Sequence, residues 1–232
     1  MVFSDLQCAK RNLLHAILLL CAGFTATPYA SGQSLSRPQT PIERSPDTIL
    51  ALRYEFTTAD AELLDVLEQG CFQYLWREVG AASGLVKDRR FHDVSSVAGV
   101  GFQLSSLPIG VERGWVSHAE AERRAVKILR TLSSRSDNRK FGVLLHFVDL
   151  ENGGLLPGKQ SEQASTVDHA LFLAGALVAA EYFGGETAKL VADLADATNW
   201  RAYDVSEKGF ISFGWRPTER VLSGPGDFRP WD

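Results

Sequence analysis

The chain is poor in sulfur. Three cysteines and one methionine occur among 232 residues, with no Cys-x-x-Cys pair and no Cys/His ligand spacing. Neither a disulfide framework nor a structural zinc site is therefore expected. Charge of one sign is also lacking: 24 Lys plus Arg face 28 Asp plus Glu, a net charge of −4. Without a basic stripe or patch, a nucleic-acid partner is not expected. There is no Gly-x-Ser-x-Gly elbow and no His-Glu-x-x-His, and Gly99-x-Gly101 lacks the third glycine of a dinucleotide fingerprint. His118 and His169 have no second histidine at helical spacing, so no catalytic metal and no cofactor are expected. The apolar run 13–24 falls short of the roughly 20 residues a stable membrane span needs.

What is present is ordinary for a globular chain: 45% hydrophobic and 22% charged residues, at a length that suits one large domain or two small ones. Lys10 and Arg11, the apolar run 13–24 and Ala30-Ser31-Gly32 read as a signal peptide over residues 1–32, cleaved before Gln33. An uncleaved anchor is the alternative. Cys21 would suit a lipoprotein, but bulky Leu20 precedes it. The expected location is periplasmic or secreted. Residues 33–56 are rich in Ser, Pro, Arg and Thr without a period and read as a linker. Cleavage leaves Cys71 as the one thiol, expected to be a small buried hydrophobe.

The domain occupies 57–232. Thr57 or Thr58 caps a first helix whose Leu63, Leu64, Leu67, Cys71, Phe72, Leu75 and Trp76 recur at three and four. A second helix spans about 95–107, carries small residues at Ala98, Gly99 and Gly101 for close backbone approach, and breaks at Leu107-Pro108. Ser117-x-x-Glu120 is a capping box for a third, with Ala121, Ala125, Ile128, Leu129 and Leu132 inward and a basic face outward. Residues 141–150 read as a strand entering a turn at 151–154, with Leu155-Leu156 as its return. A fourth helix, 165–183, is apolar almost all round and needs burial on most sides. Gly184-Gly185 ends it and an amphipathic fifth follows over 186–198, with Leu190, Val191 and Leu194 inward. Residues 209–215 read as a short strand, and the tail as loop. Alternating buried and amphipathic helices with short hairpins between them fit a mainly α, incomplete (α/α)6 toroid; a helical bundle is the plainer alternative. Five helices are fewer than a closed ring of six hairpins needs, so the chain is expected to stop partway through its domain.

Four segments bring polar groups to helix ends or hairpins: 84–89, 146–149, 161–169 and 213–217. In the third, Glu162 precedes the apolar helix and Asp168 lies in its first turn. A helix N-terminus stabilises a carboxylate by roughly 0.3–1 kcal/mol. Glycoside hydrolysis needs a protonated carboxyl and an ionised one, ~6.5–9.5 Å apart when the stereochemistry is inverted. The alternatives stay open: Ser165-x-x-Asp168 is also a helix cap, and Glu162 also a plain loop acid. His146 and Asp149 are either a sugar-hydroxyl clamp or parts of a hairpin turn. Asp88 is either a cleft acid or half of an ion pair between Lys87 and Arg89. Trp76 is core, whereas Trp115, Trp215 and Trp231 stand beside Gly, Pro or Arg, where a ring stacks on a sugar face or simply packs.

These motifs, in this order, resemble the glucoamylase-like family of bacterial β-1,2-glucan-active enzymes. The resemblance lies in Phe72-Gln73-Tyr74-Leu75-Trp76, Gly84-Leu85-Val86-Lys87-Asp88-Arg89, residues 96–115, His146-Phe147-Val148-Asp149, 161–175 and Ile211-Ser212-Phe213-Gly214-Trp215. It implies the N-terminal half of an (α/α)6 toroid with a carboxylate-lined cleft that includes Asp88, Asp149, Glu162 and Asp168. It departs from the family at His169, where the family carries Thr. The reading that follows is an exported glycoside hydrolase acting on β-1,2-linked glucan without a metal. Glu162 and Asp168 are its catalytic candidates, and Asp88, His146, Asp149, Trp115 and Trp215 its sugar-binding candidates. The alternatives are a non-catalytic carbohydrate-binding remnant and another glycan-active toroid such as a lyase.

Overall fold

The computed structural model describes residues 56–158, 162–205, 209–218, 222 and 224–230. The expected signal peptide, the linker as far as residue 55, Ser161 and Trp231 lie outside them. Among the described residues the helices are α1 (Thr58–Arg77), α2 (Val97–Glu112), α3 (His118–Ser133), α4 (Thr166–Phe183) and α5 (Gly185–Asp196). The strands are β1 (Val94–Ser96), β2 (Arg139–Lys140), β3 (Val143–Leu144), β4 (Phe147–Asp149), β5 (Ala164–Ser165), β6 (Gly214–Pro217) and β7 (Gly226–Arg229).

The helices form two layers. The apolar helices α2 and α4 pack on each other, with α3 and α5 outside them and α1 against α2. The inner contact depends on two glycines: a Cβ on Gly101 would strike the Leu171 carbonyl, and one on Gly175 would strike Gly101 O. The small residue at 101 acts as its sequence position implied. The outer helix α3 is placed by its pattern, with Ala121, Ala125, Ile128, Leu129 and Leu132 all fully buried and the Ser117/Glu120 capping box formed.

Two inner-helix expectations fail. First, α2 does not break at Pro108 but continues to Glu112. A proline costs a helix its amide and a clash with the preceding turn. Here Pro108 is buried in the α2 packing and the chain resumes bonding at once, with Arg113 N donating to Ile109 O (2.9 Å). Second, α4 is not buried on most sides. Phe172, Gly175, Ala176, Ala179 and Ala180 face inward, while Leu171 and Leu177 stay 41% and 52% exposed. By length and composition α4 is the one described helix long and apolar enough to cross a membrane.

Helix α1 opens with a Thr57/Asp60 capping box. Its first half exposes Leu63, Leu64, Val66 and Leu67, and Cys71 is exposed rather than buried, because only the end of α1, from Phe72 onward, reaches α2 and the loop after it. That end is fully accounted for. Of its last four carbonyls, Tyr74 O accepts from Glu78 N, Leu75 O from Gln103 Nε2, Trp76 O from Arg124 Nη1 and Arg77 O from Val79 N. The basic face of α3 thus serves in part as a cap for its neighbour, and Arg124 also lies 4.2 Å over the Trp76 ring.

The hairpins differ from their expected pairing. β4 pairs antiparallel with β1, Val94 opposite Asp149, not with 155–156. β2 pairs with β3, and β5, β6 and β7 form a three-stranded sheet. The expected strand at 209–215 is displaced to 214–217, and its partner β7 lies in what read as loop.

Candidate active site

Main-chain hydrogen bonds join the loops at the N-termini of the two inner helices. Asp88 N donates to Val94 O (2.8 Å), and Val94 is paired with Asp149. Val97 N, the first residue of α2, donates to His146 O (3.0 Å), and His146 N donates to Gln163 O (2.8 Å). Leu145 bridges to Ala164, and Thr166 N, the first residue of α4, donates to Phe213 O (3.1 Å). One ladder therefore strings segments 84–89, 146–149, 162–169 and 213–217 along one end of the inner pair.

On this rim His146 and Asp168 are brought together. His146 Nε2 stands 3.7 Å from Asp168 Oδ1, with side chains 42% and 16% exposed. The imidazole is flattened against Phe147, ring centroids 3.9 Å apart and planes 18° apart. Asp168 Oδ2 accepts from Ser165 Oγ, whose own oxygen accepts from Asp168 N across the first turn of α4. Ser165 thus caps α4, while Asp168, in the first turn, is held by that cap through one oxygen and presents the other to His146. Ser165 and Phe147, which fix the two partners, carry no signal beyond the cap spacing and their places in the 161–175 and 146–149 motifs. Glu162 is half-buried and its Oε1 accepts from Gln163 N (3.3 Å).

The other candidates are placed as follows. Asp149 Oδ1 accepts from the amides of Glu151 and Asn152, both at 3.0 Å, which closes the turn after β4. Asp88 lies beside Arg89, Oδ2 to Nε 3.4 Å. Trp115 packs on Phe72, centroids 5.2 Å apart, behind the C-terminal end of α2, so the structure does not bring it to the rim. Trp215 is on the rim strand β6 but is 3% exposed, with Lys140 Nζ 4.2 Å over its ring. Among the described residues no three His, Cys, Asp or Glu side chains converge to hold a metal ion.

No family model matches the chain. Over 206 residues, 84% of its length, it is 24% identical to the exo β-1,2-glucooligosaccharide sophorohydrolase (non-reducing end) of Parabacteroides distasonis, and it covers 27% of that protein. The crystal structure of a β-1,2-glucanase from Parabacteroides distasonis matches 72% of this chain with a TM-score of 0.61 at 23% identity, over 25% of that chain. The endo-β-1,2-glucanase of Chitinophaga pinensis, solved with sophorotriose and glucose, matches 70% with a TM-score of 0.59 at 23% identity, over 42% of that chain. The chain spans about a quarter of the length of the curated relative it matches. The resemblance carried by the motifs is thus repeated by the fold: the chain has the architecture of the glucoamylase-like α/α toroid enzymes over less than half of their length.

Proposed function

We propose that this chain forms part of a glycoside hydrolase that cleaves β-1,2-linked glucan, with Glu162 and Asp168 as its carboxyl pair. The observation that carries the reading is the rim. Asp168, at the start of an inner helix, is held by Ser165 and turned toward His146, on a chain similar to β-1,2-glucan-active enzymes through most of its length. One carboxyl gives its proton to the glycosidic oxygen as the bond to the anomeric carbon breaks. The other takes a proton from the water whose oxygen bonds to that carbon. His146 and Asp88 are hydroxyl partners for the sugar, with Phe147 backing the imidazole. Asp149, which closes the turn after β4, and Trp215, buried on β6, keep the rim in shape, whereas Trp115 lies away from it.

Residues 1–32 are proposed as an export signal and 33–56 as a linker, which places the enzyme in the periplasm or outside the cell. N-terminal sequencing of exported protein should begin near Gln33; recovery only from the cytosol with Met1 intact overturns export. The activity is tested by reducing-end release from β-1,2-glucan, with β-1,4-glucan as control. Release from β-1,2-glucan alone supports the reading. Binding of β-1,2-glucan without release makes the chain a carbohydrate-binding module instead.

A further inference from the structure

We propose that Gln103, in the middle of the inner helix α2, is a positioning residue for Asp88; this rests on the reading of Asp88 as a sugar partner. Gln103 is fully buried among apolar neighbours, Val100, Leu104 and Leu107. Its side-chain amide makes three hydrogen bonds, and all three go to main chain. Oε1 accepts from Val86 N (3.0 Å), and Nε2 donates to Gly84 O (2.9 Å) and to Leu75 O (3.0 Å). The amide therefore grips the loop on both sides of Leu85, which is itself fully buried, and ties it to the end of α1.

The loop then runs to Asp88 through main-chain anchors. Gly80 N donates to Leu85 O (2.9 Å), Lys87 N to Glu78 O (2.9 Å), and the Tyr74 hydroxyl to Lys87 O (3.1 Å). Asp88 N reaches the rim ladder at Val94 O (2.8 Å). Packing alone would be served at position 103 by a leucine or methionine. What the amide adds is directional: it fixes where Gly84 and Val86 sit relative to the inner helix, and with them the start of the arm that carries Asp88. A fully satisfied buried network of this kind holds one geometry.

The test uses Gln103→Met, which keeps size and removes all three bonds, and Gln103→Glu, which keeps shape and the acceptor for Val86 N but loses both donors. Leu194→Ala on α5, far from the loop in sequence and on another element, serves as a control for general destabilisation. Both Gln103 variants are expected to raise KM for β-1,2-glucan by on the order of 10–100-fold while kcat changes by less than about 3-fold, since a misplaced contact group costs binding geometry. Hydrogen exchange at Val86, Lys87 and Asp88 is expected to accelerate while the α2 amides stay protected. Unchanged KM with a melting-point loss like that of Leu194→Ala, or exchange that accelerates uniformly across the core, overturns the proposal. If the unmodified protein releases no sugar, the hydrolase reading fails. The exchange pattern then decides on its own whether Gln103 positions the arm.

Discussion

His169 Nε2 lies 2.9 Å from Thr198 Oγ1, a bond that ties the inner helix α4 to the turn just after the outer helix α5. The roles are fixed by the neighbours. Thr198 Oγ1 gives its proton to Leu194 O (2.9 Å), so it accepts from Nε2–H; Leu144 N donates to Nδ1 (3.3 Å). The ring is thus used in its neutral form. Burial, seconded by the Arg139 charge, pulls its pKa down from 6.5 to about 4. Protonation would set a proton on Nδ1 against the Leu144 amide.

The pH dependence follows from that direction. The unfolded state binds a proton at His169 below pH 6.5, and the folded state resists until about pH 4. The contribution is fully present above pH 6.5 and is lost as pH falls toward 4, for a total of about 3 kcal/mol. Urea midpoints between pH 7 and 4 should fall accordingly. His169→Gln, which keeps an acceptor and a donor, should flatten this part of the profile; an unchanged profile would remove His169 as its cause.

The inner-helix contact should tolerate no added methyl group. Gly175→Ala and Gly101→Ala each place a Cβ against main chain of the facing helix. Since backbone cannot rotate away, each should cost on the order of 1–3 kcal/mol or more in denaturant unfolding. Gly114→Ala is the contrast, because open space surrounds that position and only its positive φ of 70° resists.

Asp168 separates a helix-start role from catalysis. Ser165 is the cap of α4 and Asp168 a first-turn carboxylate, so Asp168→Asn should shift stability by less than about 1 kcal/mol. The His146 pair adds little to stability, being part exposed. Turnover of β-1,2-glucan should nevertheless fall by on the order of 10²–10⁴-fold in Asp168→Asn and in Glu162→Gln. Full activity in both would assign Asp168 to the helix start and Glu162 to the loop.

The inner helices also leave apolar surface in solvent. Phe102 and Ile109 on α2 are 56% and 42% exposed, and Leu171 and Leu177 on α4 are exposed too. Hydrophobic-dye binding and concentration-dependent association are expected, and Phe102→Lys with Leu177→Lys should reduce both while leaving the melting point near that of the parent. A parent protein that binds no dye and stays monomeric at high concentration would contradict this.

How far the sequence could be read depended on how local the cause was. The five buried positions of α3 follow from spacing alone, and its cap from a four-residue box. The extent of α2 past Pro108 does not, because what holds that segment helical is its burial against other elements. β4 was legible as a strand, but its partner β1 lies about fifty residues earlier, and nothing near 147–149 specifies it. At the site, the place of Asp168 in the first turn of α4 was legible from its spacing to the Ser165 cap. The seating of Trp215 beneath Lys140 was not, since both residues look like surface aromatics and cations until the sheet folds them together. Gln103 carried no signal beyond being polar in an apolar helix.

The rim ladder leaves the side chains of Asp88 and His146 almost free of architectural duty. The spacing between Asp88, His146 and the start of α4 is set by peptide groups, which every residue but proline supplies alike. Exchanges at 88, 146 and 147 can therefore alter the chemistry of the rim while its frame stays put. Under the proposed function, such a mouth is where sugar preference would drift between descendants faster than the helices beneath it.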